Sequence, residues 1–112
     1  MLVRTQAILV SECVDQLVGY LRVERIFLNI PYLASIKVLP EFRRKEVGKA
    51  LLLDIVKRES AFGANYILSS SEPYASEAIA WHKHNGIYEI GALQHLNQMD
   101  ASEVFFRLDI SR

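Results

Sequence analysis

The hydrophobic period changes abruptly at Arg43, and that change limits the folds open to the chain. The segment Tyr32 to Val38 reads as a strand, stopped by Pro40. From Arg43 to about Ser60 the period is helical. On a helical wheel Val47, Leu51, Leu52 and Ile55 share one face, while Lys49, Asp54 and Lys57 lie away from its centre. Gly63 fits a helix stop, and Tyr66 to Ser70 is a short apolar strand. A strand, a helix and a strand in that order make a βαβ unit. The strands around residues 36 and 68 are therefore expected to run parallel.

The flanks of this unit read as antiparallel structure. Gln6 to Glu12 is an apolar run with polar ends, and Val14-Asp15-Gln16 is a turn. Leu17 to Ile26 alternates, with Leu21 and Val23 pointing one way and Tyr20, Arg22 and Glu24 the other. Asn29-Ile30-Pro31 breaks the pattern before the strand at Tyr32. Short connections between these three strands suggest a meander. After Pro73, Ala75 to His84 is expected to be a second helix, closed by Asn85-Gly86. Ile87 to Leu93 and Glu103 to Ile110 are the last strands, the second with Val104, Phe106 and Leu108 on one face. The order β-β-β-α-β-α-β-β predicts a mixed, mostly antiparallel sheet with helices packed on it, in the α/β or α+β class. With 112 residues and no repeat, low-complexity tract or linker, one domain over residues 1–112 is expected.

Composition narrows the functional classes. Apolar residues make up 51% and charged residues 23%, an ordinary globular balance. Lys plus Arg and Asp plus Glu number 13 each, which argues against a dedicated nucleic-acid binder. Cys13 is the single cysteine, so no disulfide can form within the chain, and a reducing cytoplasm is the default. Its thiol is expected to be inert. The apolar run Ala7 to Val10 is short for a signal peptide, and no stretch reaches the ~18 apolar residues of a membrane span. The expectation is a soluble cytoplasmic protein with no membrane partner.

The stretch that carries chemistry is Ile36-Lys37-Val38-Leu39-Pro40-Glu41-Phe42-Arg43-Arg44-Lys45-Glu46-Val47-Gly48-Lys49-Ala50-Leu51-Leu52. It is a strand, a turn, three consecutive cations and a helix start. The first N–H groups of a helix have no partner within it and, with the helix dipole, attract anions. Arg43, Arg44 and Lys45 add formal charge at a place where cations disfavour the helix itself. Gly48 lets backbone come close to a ligand. Two readings stand on these grounds: a phosphate cradle, or a solvated basic helix start.

The same stretch resembles the coenzyme A signature of the GNAT superfamily of N-acetyltransferases, V-x-P-x-x-R/Q-x-x-G-x-G/A followed by an apolar helix. Val38, Pro40, Arg43, Val47 and Gly48 stand in register, and Ala50-Leu51-Leu52 follow. A second element of the family, A-x-x-F/L-Y-x-x-x-G-F, is matched downstream by Ala78-Ile79-Ala80-Trp81-His82-Lys83-His84-Asn85-Gly86-Ile87. The resemblance covers roughly residues 5 to 110. It implies a GNAT-like acyl-CoA N-acyltransferase fold in which two central parallel strands splay apart and acetyl-CoA enters the V between them. Carried over, Ile36, Lys37 and Val38 would line the pantetheine arm. Arg43, Arg44, Lys45, Glu46, Val47, Gly48 and Lys49 would hold the pyrophosphate, and the strand ending near Ser70 would form the other wall. No metal is implied.

The chain departs from the family pattern at informative places. Glu46 replaces the first glycine of the phosphate loop; its side chain restricts the backbone and its carboxylate could repel the pyrophosphate, or could instead point to solvent and pair with Lys49 or Lys45. Ala75 stands where the family often has asparagine. His82 takes the place of the tyrosine that commonly protonates the departing thiolate. A thiol has a pKa of about 8.5, a phenol about 10 and an imidazole about 6.5. His82 could be the acid, act as a base through water, or fill space beside Trp81, which itself reads as core. His84, two residues on, lies on another helical face, which argues against a zinc pair. Family members usually begin with a strand and two helices that this chain is expected to lack, opening the acceptor groove and favouring a homodimer. The expected function is acetyl transfer from acetyl-CoA to a primary amine, on a small molecule or a peptide, by direct attack. The alternative is a non-catalytic module of the same fold that binds coenzyme A or a protein.

Overall fold

Alternating apolar residues in the first third of the chain form three antiparallel strands. The computed structural model describes residues 6–13, 16–42, 46–97 and 99–110, with residues 6–13 and 16–17 given by their backbone. Strand β1 (Gln6–Cys13) pairs with β2 (Gln16–Ile26), and β2 pairs with β3 (Ile30–Val38), both antiparallel. Leu21 and Val23 are buried on one face of β2, as their alternation predicts. β3 starts two residues earlier than its pattern suggests, because Pro31 sits within the strand opposite Arg25. Proline has no N–H to give, and pairing on the other side of β3 starts only at Tyr32.

A short 3-10 turn over Pro40–Phe42 leads on to helix α1 (Val47–Ala61). The helix buries Leu51, Leu52 and Ile55 against Leu21, Val23 and Leu33 of the sheet. Side chains of this size stabilise by about 1.5–3 kcal/mol each when fully buried. Val47 lies at the margin of this cluster. One turn beyond Ile55 the same face presents Glu59, a carboxylate only 3% exposed. Its partner is Arg25, whose two terminal nitrogens meet the two carboxylate oxygens, one pair at 2.9 Å. Glu59 did not stand out in the sequence, and helical period gives no hint of the cation from β2. Gly63, at φ 89°, ends the helix, with Ala64 N–H returning to the carbonyl of Glu59.

Strand β4 (Tyr66–Ser71) then runs parallel to β3, as the βαβ order requires. Helix α2 (Ser76–His84) follows, and β5 (Tyr88–Leu93) and β6 (Glu103–Asp109) complete a six-stranded sheet of order β1-β2-β3-β4-β6-β5. β6 lies between β4 and β5 and is antiparallel to both. Val104 and Phe106 are buried and Leu108 packs beside them. Both helices lie on this face: α1 through its leucines, α2 through His82 stacked on Phe106. No helix among the described residues is long and apolar enough to cross a membrane.

The Arg25–Glu59 pair generates a stability prediction. Removing one partner strands a buried charge, whereas replacing both with apolar groups does not. Arg25→Met is expected to lower the unfolding free energy by about 3 kcal/mol. The double change Arg25→Met with Glu59→Met should recover most of that loss in urea denaturation.

Candidate functional site

The parallel contact between β3 and β4 is confined to two positions, Tyr32 with Leu68 and Leu33 with Ser69. At that point β3 carries an extra residue. Arg22 faces Ser35 and Val23 faces Leu33, so Ala34 is skipped in the register with β2. An inserted residue bends its strand. β3 turns away from β4, and the remainder of β3 forms one side of a cleft of about 670 Å³. That volume suits a small-molecule or cofactor site.

Ile36, Lys37 and Val38 supply the β3 wall, and Glu46, Gly48 and Lys49 bring in the start of α1. Helix α2 closes the far side with Glu77, Ala78, Trp81, His82, His84 and Asn85. Of the residues singled out in the sequence, Ile36, Lys37, Val38, Glu46, Gly48, Lys49 and His82 thus meet around one space. Val47 does not line it and packs inward. Arg43, Arg44 and Lys45 lie outside the described residues, as does the side chain of Cys13.

Glu46 takes up the left-handed backbone conformation, φ 62° and ψ 22°, immediately before α1. Such a conformation costs a non-glycine residue about 1 kcal/mol or more, which accounts for glycine in the family pattern. Its side chain makes no cap and lies 4.0 Å from Lys49 Nζ, both groups well exposed. The pairing with Lys49 raised by the sequence is present, and such an exposed pair contributes little.

Two glycines allow close packing beneath this loop. A Cβ on Gly48 would come within 3.1 Å of Trp81 Nε1, so the indole edge rests against the first turn of α1. Trp81 is therefore part of the cleft wall, only partly buried, and not simply core as its aromatic character suggested. A Cβ on Gly19 would lie 2.9 Å from the carbonyl oxygen of Lys37 and 3.2 Å from Val47. Gly19 drew no attention in the sequence, since an isolated glycine in a strand carries no sign of what approaches it.

His82 is 5% exposed and both ring nitrogens are engaged. Nδ1 lies 2.5 Å from the carbonyl oxygen of Ala78, which can only accept, so Nδ1 carries the proton. In the neutral ring Nε2 then accepts from Ser69 Oγ at 2.8 Å. The ring stacks on Phe106 with centroids 4.1 Å apart and meets Trp81 edge-on at 5.3 Å. Burial lowers its pKa, opposed by the bond to Ala78, which raises it. The sequence left His82 as an acid for the thiolate, a base through water, or a filler of space beside Trp81. In this arrangement the ring is neutral and directs no N–H into the cleft. Ser69, the group that fixes it, comes from a strand that reads as merely apolar.

On the opposite face of the sheet, Tyr32, Ser70 and Glu103 are linked. Tyr32 Oη lies 2.5 Å from Ser70 Oγ, and Ser70 Oγ donates to Glu103 Oε2 at 2.6 Å. Asn97 Nδ2 donates to the other carboxylate oxygen at 3.3 Å. None of these residues stood out in the sequence. Glu24, on β2, lies 4.0 Å from Arg22.

The family model described as the acetyltransferase (GNAT) family matches residues 4–87. Comparison with curated proteins gives no match. Solved structures share the fold. A Bacillus anthracis structure in complex with acetyl coenzyme A is 17% identical with a TM-score of 0.84, covering 95% of this chain and 63% of its own. The Escherichia coli ribosomal-protein-S18-alanine N-acetyltransferase is 17% identical with a TM-score of 0.79, covering 99% of this chain and 73% of its own. A Bacillus subtilis acetyltransferase in complex with CoA is 15% identical with a TM-score of 0.79, covering 94% and 77%. This chain therefore spans less than two thirds of the B. anthracis protein and about three quarters of the other two.

Two predictions come from this geometry. Gly19→Ala should destabilise the protein by about 1–3 kcal/mol, because backbone rather than a mobile side chain must yield. Its melting temperature relative to wild type measures this. For His82, a folded-state pKa below the ordinary 6.5 means that the unfolded chain binds the proton more readily. The contribution to stability is complete above pH 6.5 and declines as pH falls toward the folded value. Melting temperatures between pH 7.5 and 5 should fall more steeply for wild type than for His82→Gln.

Proposed function

The chain belongs to the GNAT family of acetyltransferases, and from that premise we propose that the cleft binds acetyl-CoA and transfers its acetyl group to a primary amine. The observation that carries the reading is the parting of β3 and β4 over a cleft that also receives the start of a helix. An arm rich in amides can hydrogen-bond along a strand edge, as an added strand would. A pyrophosphate suits a helix N-terminus, and Lys49 at its mouth adds charge. Arg43, Arg44 and Lys45 support this on sequence grounds. Ile36, Lys37 and Val38 would flank the arm and bring the thioester to the apex of the V. There a neutral amine attacks the carbonyl carbon, the C–N bond forms, and the C–S bond breaks. The proton lost by nitrogen balances the one gained by the thiolate.

His82 fits a positioning role in this scheme. With Nδ1–H held by Ala78 and Nε2 occupied by Ser69, it ties α2 to β4 and fixes the width of the cleft. Water in the cleft is then the donor to the thiolate. The amine-bearing acceptor is a small molecule or a peptide. The E. coli alanine N-acetyltransferase, among the structures sharing the fold, acts on a ribosomal protein and supports the peptide class.

A second reading, cofactor binding without turnover, draws on Glu46, whose carboxylate stands beside the proposed pyrophosphate position. Titration calorimetry with acetyl-CoA, with ATP as comparator, tests the first step, and release of free thiol with an amine separates the two readings. Selective acetyl-CoA binding is expected. Absence of binding would overturn both. Glu46→Gly should tighten acetyl-CoA by about tenfold, equal to about 1.4 kcal/mol, by removing like charge and backbone strain together. Unchanged affinity would place the pyrophosphate elsewhere.

A further inference from the structure

The hydrogen-bond chain from Tyr32 through Ser70 to Glu103 has a direction fixed by its chemistry. A carboxylate only accepts, so Ser70 must spend its single hydroxyl proton on Glu103. The bond at 2.5 Å between Tyr32 and Ser70 must then be donated by Tyr32. The phenol proton is committed, and the phenol oxygen is left as an acceptor. The three side chains come from β3, β4 and β6, and the chain starts and ends on different strands.

Its place in the sheet matters. Tyr32 lies directly opposite Leu68, the first of the two paired positions before β3 and β4 part, and Ser70 is the first β4 residue beyond them. Ser70 faces Phe105 across β6, so Tyr32, Ser70 and Glu103 share the face away from α1 and α2. Ser69, its neighbour, turns to the helix side and binds His82. All three members of the chain are half-buried, and among the described residues no helix covers them. The apex of the V thus has the cleft on one side and an open acceptor end of a hydrogen-bond chain on the other.

We propose that Tyr32, Ser70 and Glu103 form a proton relay that deprotonates the incoming ammonium. The inference rests on the acetyl-transfer reading and supplies the base which that reading needs. The ammonium gives a proton to Tyr32 Oη as the phenol proton passes to Ser70 Oγ and the serine proton passes to Glu103. The products are a neutral amine, ready to attack, and a protonated Glu103. The phenol and the hydroxyl each give up one proton and receive one from the neighbour on the ammonium side, so both end neutral with their O–H bonds reversed in direction, and no other reactant is needed. Asn97 holds the far oxygen of the carboxylate, so the accepting oxygen keeps its aim. Tyr32 meets the substrate, whereas Glu103 acts through the other two.

The test compares nucleophiles. An alkylamine such as spermidine, or a peptide with a free N-terminus, is mostly protonated at pH 7 and needs a base. Hydroxylamine is already neutral there and does not. Thiol release from acetyl-CoA is measured for wild type, Tyr32→Phe and Glu103→Gln, with acetyl-CoA affinity measured in parallel. Both variants should lose about 100-fold in kcat/KM with the alkylamine or peptide. They should stay within about threefold of wild type with hydroxylamine, and acetyl-CoA affinity should be unchanged. Equal losses with both kinds of nucleophile would reduce the trio to a clamp between strands and overturn the relay. The same selective loss in Glu24→Gln, with none in Glu103→Gln, would overturn it in favour of Glu24. If Glu103→Gln does not fold, Tyr32→Phe decides, because it keeps the ring and removes only the oxygen. Acetyl-CoA binding without thiol release from any amine would overturn the relay and leave the cofactor reading intact. No binding at all would overturn the reading beneath it.

Discussion

Two residue pairs hold the parallel strands of this sheet together, and the rest of the site depends on how briefly they do so. Tyr32 with Leu68 and Leu33 with Ser69 are joined; at Ala34 the extra residue in β3 ends the contact. A parallel pair carried to its full length would close the sheet and leave backbone groups satisfied by one another. Parting leaves an open strand edge inside the molecule. Such an edge is costly when buried dry, because each unpaired amide or carbonyl loses its hydrogen bonds to water. An open cleft avoids that cost by admitting water, and a ligand with amides of its own can replace the water without loss.

The opening must also be kept from collapsing. On the helix side, α2 is pinned to β4 by the Ser69–His82 bond and to β6 by the stacking of His82 on Phe106. Trp81, the neighbour of His82, extends its indole edge to Gly48 at the start of α1. One turn of α2 therefore braces both sides of the V, and a neutral, buried imidazole suits a brace better than a charged one. On the other face, Tyr32, Ser70 and Glu103 tie β3, β4 and β6 across the apex. Alternation along β4 sends Ser69 and Ser70 to these two separate structures.

The fold was legible in the sequence because its signals are local and periodic. The switch from alternation to a helical stripe at Val47, Leu51, Leu52 and Ile55, then a return to an apolar strand, located the βαβ unit. The Val38, Pro40, Arg43 and Gly48 spacing marked the stretch between β3 and α1, of which residues 43–45 lie outside the described residues. What escaped was set by register. Ser70 and Glu103 are 33 positions apart and become neighbours only because Ser70 faces Phe105 across β6. Arg25 and Glu59, 34 positions apart, are joined by the packing of α1 on β2. Pro31 read as a break because proline cannot donate, yet a strand can hold it where pairing on that side has not begun. His82 was legible as a position of interest, and only the carbonyl of Ala78 and the hydroxyl of Ser69 fix which nitrogen holds its proton.

Glu46 and Glu103 show how the same charge has opposite consequences in two parts of one site. At Glu46 a carboxylate occupies a left-handed backbone position at a helix start, beside the place suited to an anion, and Lys49 at 4.0 Å offsets only part of its field. In the proposed reading, both the backbone conformation and the charge would work against a tightly held pyrophosphate. At Glu103 the carboxylate lies on the far face, separated from the cleft by the sheet and oriented by two hydrogen bonds. There a negative charge favours an approaching ammonium and provides an acceptor for its proton. The sheet keeps the two apart: Glu46 stands at the start of α1 and Glu103 on β6, so that in the proposed reading anion recognition and proton removal would be set by different elements.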